Sequence, residues 1–187
     1  LELFEAVTCK QWGEIVMNEY CAAGAGICLA LGICFATAMP VHADDATVIY
    51  KSLSPDVALE AAQAALKQCR GDGFQVAVAV VDRFGEAQVM LRDRFAGLPA
   101  PRTATDKAWT ALGFRANTSD LSKSIQTGQL DARLASLPRV TMLAGALIIE
   151  TGGTLLGAIG VSGAPGGDKD EKCAKAGLDA IRDKLDF

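Results

Sequence analysis

The chain has 187 residues, half of them hydrophobic, and a formal charge of −4. That length suits one domain with an appendage. No basic run or basic stripe appears, which argues against a nucleic acid or an anionic membrane surface as partner.

The appendage is at the N-terminal side. Cys21 to Met39 contains no charged residue, and Val41 and Ala43 meet the small-residue rule for signal peptidase cleavage before Asp44. A membrane anchor is the competing reading, since the run is just long enough to span. Its wealth of Ala and Gly, Pro40 and the acidic Asp44-Asp45 beyond favour cleavage. Residues 17–43 are therefore expected to be a signal peptide, and residues 1–16 sequence upstream of a start at Met17. Residues 44–52 are expected to be a tether, and residues 53–187 the domain. The expected location is the periplasm or outside the cell, with no membrane attachment after cleavage. From Asp44 onward, 17 basic side chains face 18 acidic ones. The only histidine, His42, falls in the signal. A mature chain without it cannot build a Ser-His-Asp or Cys-His arrangement, nor a zinc site based on imidazole.

Ser54-Pro55 predicts a helix start, with serine as cap and proline in the first turn. Ala58, Ala62, Ala65, Leu66 and Cys69 then share a face, and Gly71 or Gly73 ends the helix. Gln75 to Val81 reads as a strand apolar on both faces, Asp82 to Gly85 as a turn, and Glu86 to Arg92 as the returning strand. Met90 and Arg92 share one face of it. Arg94 to Pro101 is a loop. A helix to about Phe114 follows, on which Lys107 shares a face with Thr103 and with Thr110. Thr118-Ser119-Asp120 starts a shorter helix, and Gln129 to Pro138 adds a turn or two.

Ala146–Glu150 and Thr154–Val161 make a second hairpin around Thr151-Gly-Gly153. Its second strand is an uncharged run holding Gly157 and Gly160, and glycines inside a strand mark a close approach by another group. Ser162 to Gly167 is a glycine-rich loop. Asp168 with Glu171 three residues on forms a capping-box pattern for the last helix, whose inner face carries Ala174, Leu178, Ile181 and Leu185. A loop of this kind can hold an anion on free N–H groups. Neither Gly-Lys-Ser/Thr nor G-x-G-x-x-G is present, however, so no nucleotide fingerprint is met. Cys69 and Cys173 lie on apolar faces of the first and last helices. If those helices pack side by side on one face of a sheet, the pair can form a disulfide, as an oxidising compartment allows; the alternative is two buried free thiols. Antiparallel strand pairs separated by helices point to an α+β layered domain and not to a Rossmann fold.

Gly157-Ala-Ile-Gly-Val-Ser-Gly-Ala-Pro-Gly-Gly167, followed by Asp170-Glu-Lys-Cys-Ala-Lys-Ala-Gly177, resembles the C-terminal signature of the GlcG/HbpS-like haem-binding family. The resemblance continues upstream through Val80-Val-Asp-Arg-Phe-Gly85, Leu91-Arg92 and Lys107-Ala-Trp-Thr-Ala111, and covers roughly Leu53 to Leu185. It implies a profilin-like antiparallel sheet flanked by helices, symmetric homo-oligomers and a small-molecule ligand, haem or another tetrapyrrole first. The chain departs from the family's pattern at the expected pocket rim. Arg94 stands where an aspartate is usual, Leu98-Pro99-Ala100 replaces a Pro-His-Thr, and Ala144-Gly145-Ala146-Leu147 replaces a Gly-Gly-x-Pro.

The candidate ligand site is Arg92, Lys107, Thr110, Gly145, Gly160, Ser162 and Gly163, around one shared cavity. Haem needs an axial donor and cations for its propionates. Met90, Met142 and Tyr50 are the candidate donors, and Arg92, Arg94, Arg102 and Lys107 the candidate cations. The competing role for Lys107 is a buried or interfacial ion pair with Asp82 or Asp106. Two further readings stand beside haem binding. One is an enzyme on a small organic acid, with Arg92 on the carboxylate and Lys107 as acid, base or electrophile. The other is an accessory oligomer with a vestigial pocket.

Overall fold

The computed structural model describes residues 47–185. Segments 1–16 and 17–43, the start of the tether, and the apolar run with His42 lie outside the described residues. Among the described residues, no helix is long and apolar enough to cross a membrane.

Among the described residues the first helix starts at Ser54, whose hydroxyl accepts the Val57 N–H while Pro55 takes a position that needs no N–H. Helix α1 (Pro55–Gly71) buries Ala58, Ala61, Ala62, Ala65, Leu66 and Cys69. The first hairpin is β1 (Ala77–Asp82) and β2 (Ala87–Arg92), turning at Asp82, whose carboxylate accepts the N–H groups of Phe84 and Glu86. Helix α2 (Ala100–Phe114) and the short α3 (Thr118–Gln126) follow, then a 3-10 turn over Ala132–Ser136. The second hairpin is β3 (Ala146–Thr151) and β4 (Thr154–Ser162), and α4 (Gly167–Ile181) completes the order.

The four strands form one antiparallel sheet in the order β2-β1-β4-β3. Alternation along the central strands gives each face a different character. Val78, Val80, Ile159 and Val161 meet α1 and α4 in the main core with Leu147 and Ile149. The opposite face is smaller in volume: Ala77, Ala79, Val81, Ala146 and Ala158 meet the alanines of α2. Those small side chains let α2 lie very close to the sheet. A Cβ on Gly160 would come within 2.2 Å of the Ala104 carbonyl, so glycine there is a packing requirement. The result is the α+β layered domain that the sequence pattern implied, with helices on both faces of the sheet as the family resemblance implied.

On the main-core face, α1 and α4 touch backbone to backbone, since a Cβ on Gly177 would lie 2.6 Å from the Ala61 carbonyl. Cys69 and Cys173 are bonded there, with Cα atoms 5.5 Å apart, so the two-thiol alternative is set aside. One expected detail changes. Asp168 is not the cap of α4: Gly166 holds that position, and its carbonyl accepts the Lys169 and Asp170 N–H groups. Glu171 accepts instead from the Ser119 hydroxyl of α3 (3.1 Å). Helix α3 also seals the β3 edge. The Asn117 side chain accepts the Ile148 N–H (3.1 Å) and the Thr118 hydroxyl the Ala146 N–H (2.9 Å).

The disulfide closes a loop of 104 residues between two helices that already pack tightly. Replacing both cysteines with serine is expected to cost about 2–4 kcal/mol of stability, read as a lower urea midpoint, with the far-UV circular dichroism spectrum unchanged.

Candidate functional site

Lys107 projects from α2, on one face of the sheet, and Asp170 from α4, on the other. They meet at the sheet's end, where Gly145 leaves a gap. The Lys107 Nζ lies 2.8 Å from Asp170 Oδ2 and donates a second hydrogen bond to the Val161 carbonyl (3.0 Å). Both residues are almost fully buried, at 2% and 3% exposure. Gly145 has φ +125°, and a Cβ there would fall 2.7 Å from Asp170 Cβ and 2.8 Å from Lys107 Nζ. Only a residue without a side chain lets the two charges through. The other Asp170 oxygen accepts the Ala164 N–H (3.0 Å), which fastens the Ser162–Gly167 loop to the helix behind it.

Burial pushes the Asp170 carboxyl above the usual aspartate range, while the hydrogen bond and charge of Lys107 and the Ala164 N–H pull it back. The ion pair differs from the two partners expected for Lys107. Asp106 lies on its own helix and instead faces Arg102 (3.4 Å) and Arg139 (3.6 Å). Asp82 is occupied by its own turn.

A cavity of about 390 Å³ opens over the pair. Lys107, Ser162, Gly163 and Asp170 line it, together with Ala164 and the first residues of α4. Two other sequence candidates border this site without lining the cavity. Gly145 is the gap just described, and Gly160 is the seat of α2 against β4. Arg92 shares a sheet face and a register line with Ser162, each opposite Ala77, which puts them two strand spacings or about 10 Å apart. Its guanidinium donates to the Ala96 carbonyl (3.0 Å). Thr110 serves another purpose: its hydroxyl donates to the Asp106 carbonyl (2.7 Å) and accepts the Thr141 N–H (2.9 Å), pinning the strand-entry loop to α2.

Asp170 is the residue that sequence reading passed over as a site member. Its signal was available, because it opens the Asp170–Gly177 motif, but it looked like an acid of the first helical turn. A larger hollow, about 570 Å³, lies elsewhere, between the β1–β2 turn and the end of α2, lined by Arg83, Phe84, Trp109 and Arg115 among others. Among the described residues no three His, Cys, Asp or Glu side chains are grouped to hold a metal ion.

A buried pair of this kind is costly to break and cheap to replace. Lys107→Met alone and Asp170→Leu alone are each expected to lose about 3–5 kcal/mol, and the double variant to recover most of it, measured by urea unfolding. The proton linkage has a definite sign. The folded chain holds the Asp170 proton to higher pH than the unfolded chain, so this group's contribution is fullest in acid and declines as pH rises through the raised value. That slope is expected to vanish in the double variant.

Comparison with known proteins places this architecture. A family model described as haem degrading protein HbpS-like matches residues 53–179. A crystal structure of HbpS superposes with a TM-score of 0.68 at 37% identity, covering 72% of this chain and 94% of that one. A crystal structure titled as a PduOC–haem complex gives 0.66 at 29% identity, covering 70% and 95%. The corrinoid adenosyltransferase PduO of Salmonella typhimurium is 29% identical over 132 residues, 68% of this chain. The match spans only 38% of that relative's length.

Proposed function

Because the chain belongs to the HbpS-like family, we propose that it is an exported protein that binds haem or a related tetrapyrrole and assembles as a homo-oligomer. The observation that carries the reading is the 29% identical neighbour whose structure is titled as a haem complex, matched over 95% of its length.

The residues present set how haem would be held. The described residues hold no histidine, and their two cysteines, Cys69 and Cys173, are bonded to each other, so among them the donors are thioether and phenol. The cavity over Lys107 does not fit a macrocycle: it is small, and its lysine is committed to Asp170. The large hollow at Arg83 and Trp109 offers ring faces and cations but no methionine, tyrosine or histidine in its lining. Tyr50 lies beneath the Arg83 guanidinium, 4.4 Å from it.

The outer edge of β2 fits better. Met90 is 39% exposed, on the same face as Arg92, and the loop beyond presents Arg94, Phe95 and Leu98 to solvent. A thioether, two guanidiniums and exposed apolar side chains are the donor, propionate partners and platform that haem requires. This loop is held firmly. Arg70 of α1 makes a two-pronged pair with buried Asp93 (2.9 and 2.8 Å), and its guanidinium holds that carboxyl below the usual range. When bound, haem would supply an iron centre, which Met90 would hold while Arg92 and Arg94 would orient the propionates.

Export is supported by the apolar run before Asp44 and by the disulfide, which an oxidising compartment maintains. Edge strand β2 has no strand on its outer side among the described residues, which suits assembly with another copy. Titration with haem is expected to give a saturable Soret shift, weakened about tenfold or more in Met90→Ala, as loss of an iron ligand implies, and unchanged in Ser162→Ala. Absence of a saturable shift would refute haem binding, and an unchanged Met90→Ala would refute this placement. N-terminal sequencing of the secreted product is expected to begin at Asp44.

A further inference from the structure

We propose that the cavity over Lys107 is a second binding site, independent of the tetrapyrrole face, for a small monocarboxylate. The argument starts from donors that the fold leaves unused. Ser162 is only 9% exposed and lines the cavity, yet its hydroxyl has no hydrogen-bond partner among the described residues. The oxygen is not sealed from solvent, as Gln75 Oε1, Gln88 Oε1 and Glu171 Oε2 are, so it opens into the cavity, where an acceptor can take its hydrogen. Lys107 points the same way. An ammonium carries three N–H donors, and Val161 and Asp170 take two, leaving one for the hollow that the residue lines.

The third source is the start of α4. Gly167 and Asp168 line the cavity, and their N–H groups have no protein acceptor among the described residues. In a helix of 15 residues these are orphan donors of the first turn, at the positive end of the dipole. Side-chain and backbone donors thus converge, and the occupant must bring acceptor oxygens.

Charge narrows the class. Asp170 balances Lys107, and the exposed Asp168 at the rim is paired with Lys169 (3.7 Å). The surroundings are close to neutral, with only the helix end favouring an anion, so a single negative charge suits them and a phosphate dianion does not. A volume of about 390 Å³ lies at the small end of ligand sites, which limits the occupant to a short acid.

The test uses acetate as probe on 15N-labelled protein at constant ionic strength, with acetamide as its neutral isostere and inorganic phosphate as the dianion. Acetate is expected to move the Gly167 and Asp168 amide resonances saturably. Acetamide and phosphate should each act about tenfold more weakly, as loss of the matching charge implies. Ser162→Ala should weaken acetate about fivefold while leaving the rest of the spectrum in place, since one hydrogen bond to a charged group is removed. Asp168→Asn should tighten acetate about twofold by removing a rim charge. No saturable shift at the two amides, a Ser162→Ala titration equal to wild type, or tighter binding of acetamide or phosphate than of acetate would each overturn the proposal. None of these outcomes bears on the Soret titration.

Discussion

One ion pair ties the two helical layers together. Lys107 and Asp170 start on opposite faces of the sheet and meet around its end, through the space that Gly145 leaves open. The pair is not a large source of net stability, because removing two charges from water offsets most of their attraction. What it supplies is position. With the ammonium bonded to Val161 and one carboxylate oxygen to Ala164, the pair ties the end of β4, the glycine loop and the first turn of α4 to one another.

The two sheet faces divide the work. The α1–α4 face is filled with branched side chains and closed by a disulfide, and it gives the domain its stability. The α2 face is lined with alanine and glycine, which brings the helix carrying Lys107 close enough for a lysine side chain to reach past the sheet. A larger residue at Gly160 would lift α2 away and withdraw the ammonium from Asp170. Packing and site geometry are thus one constraint seen from two ends.

Much of this was legible in the sequence. The element order and both hairpins follow from periodicity and turn chemistry, because each depends on neighbours within a few turns of chain. Gly160 was readable as a close-approach position for the same reason, though not which backbone approaches. The bond between Cys69 and Cys173, 104 residues apart, could be read only as one of two alternatives until the helices were seen to pack. What stayed hidden was tertiary. Asp170 lies 63 residues from Lys107 and resembled an ordinary acid of a first helical turn, so nearer carboxylates drew the assignment. Thr110 shares a helical face with Lys107, and only the fold shows that its hydroxyl is spent on the 139–141 loop. Thr118 was legible as the opening of a helix, and it is one, with Asn117 before it. What the sequence did not show is that both side chains also reach the margin of β3, a strand about 30 residues further on.

That last arrangement limits how the molecule can grow. Of the sheet's two margins among the described residues, β3 has the Ala146 and Ile148 donors already taken by Thr118 and Asn117, and β2 is the more open to a neighbouring backbone. Two copies joining along β2 would form a continuous eight-stranded sheet about a twofold axis, with a blocked margin at each outer end. Strand addition along β2 would then stop at a pair, and a larger particle would have to be built through helices or loops.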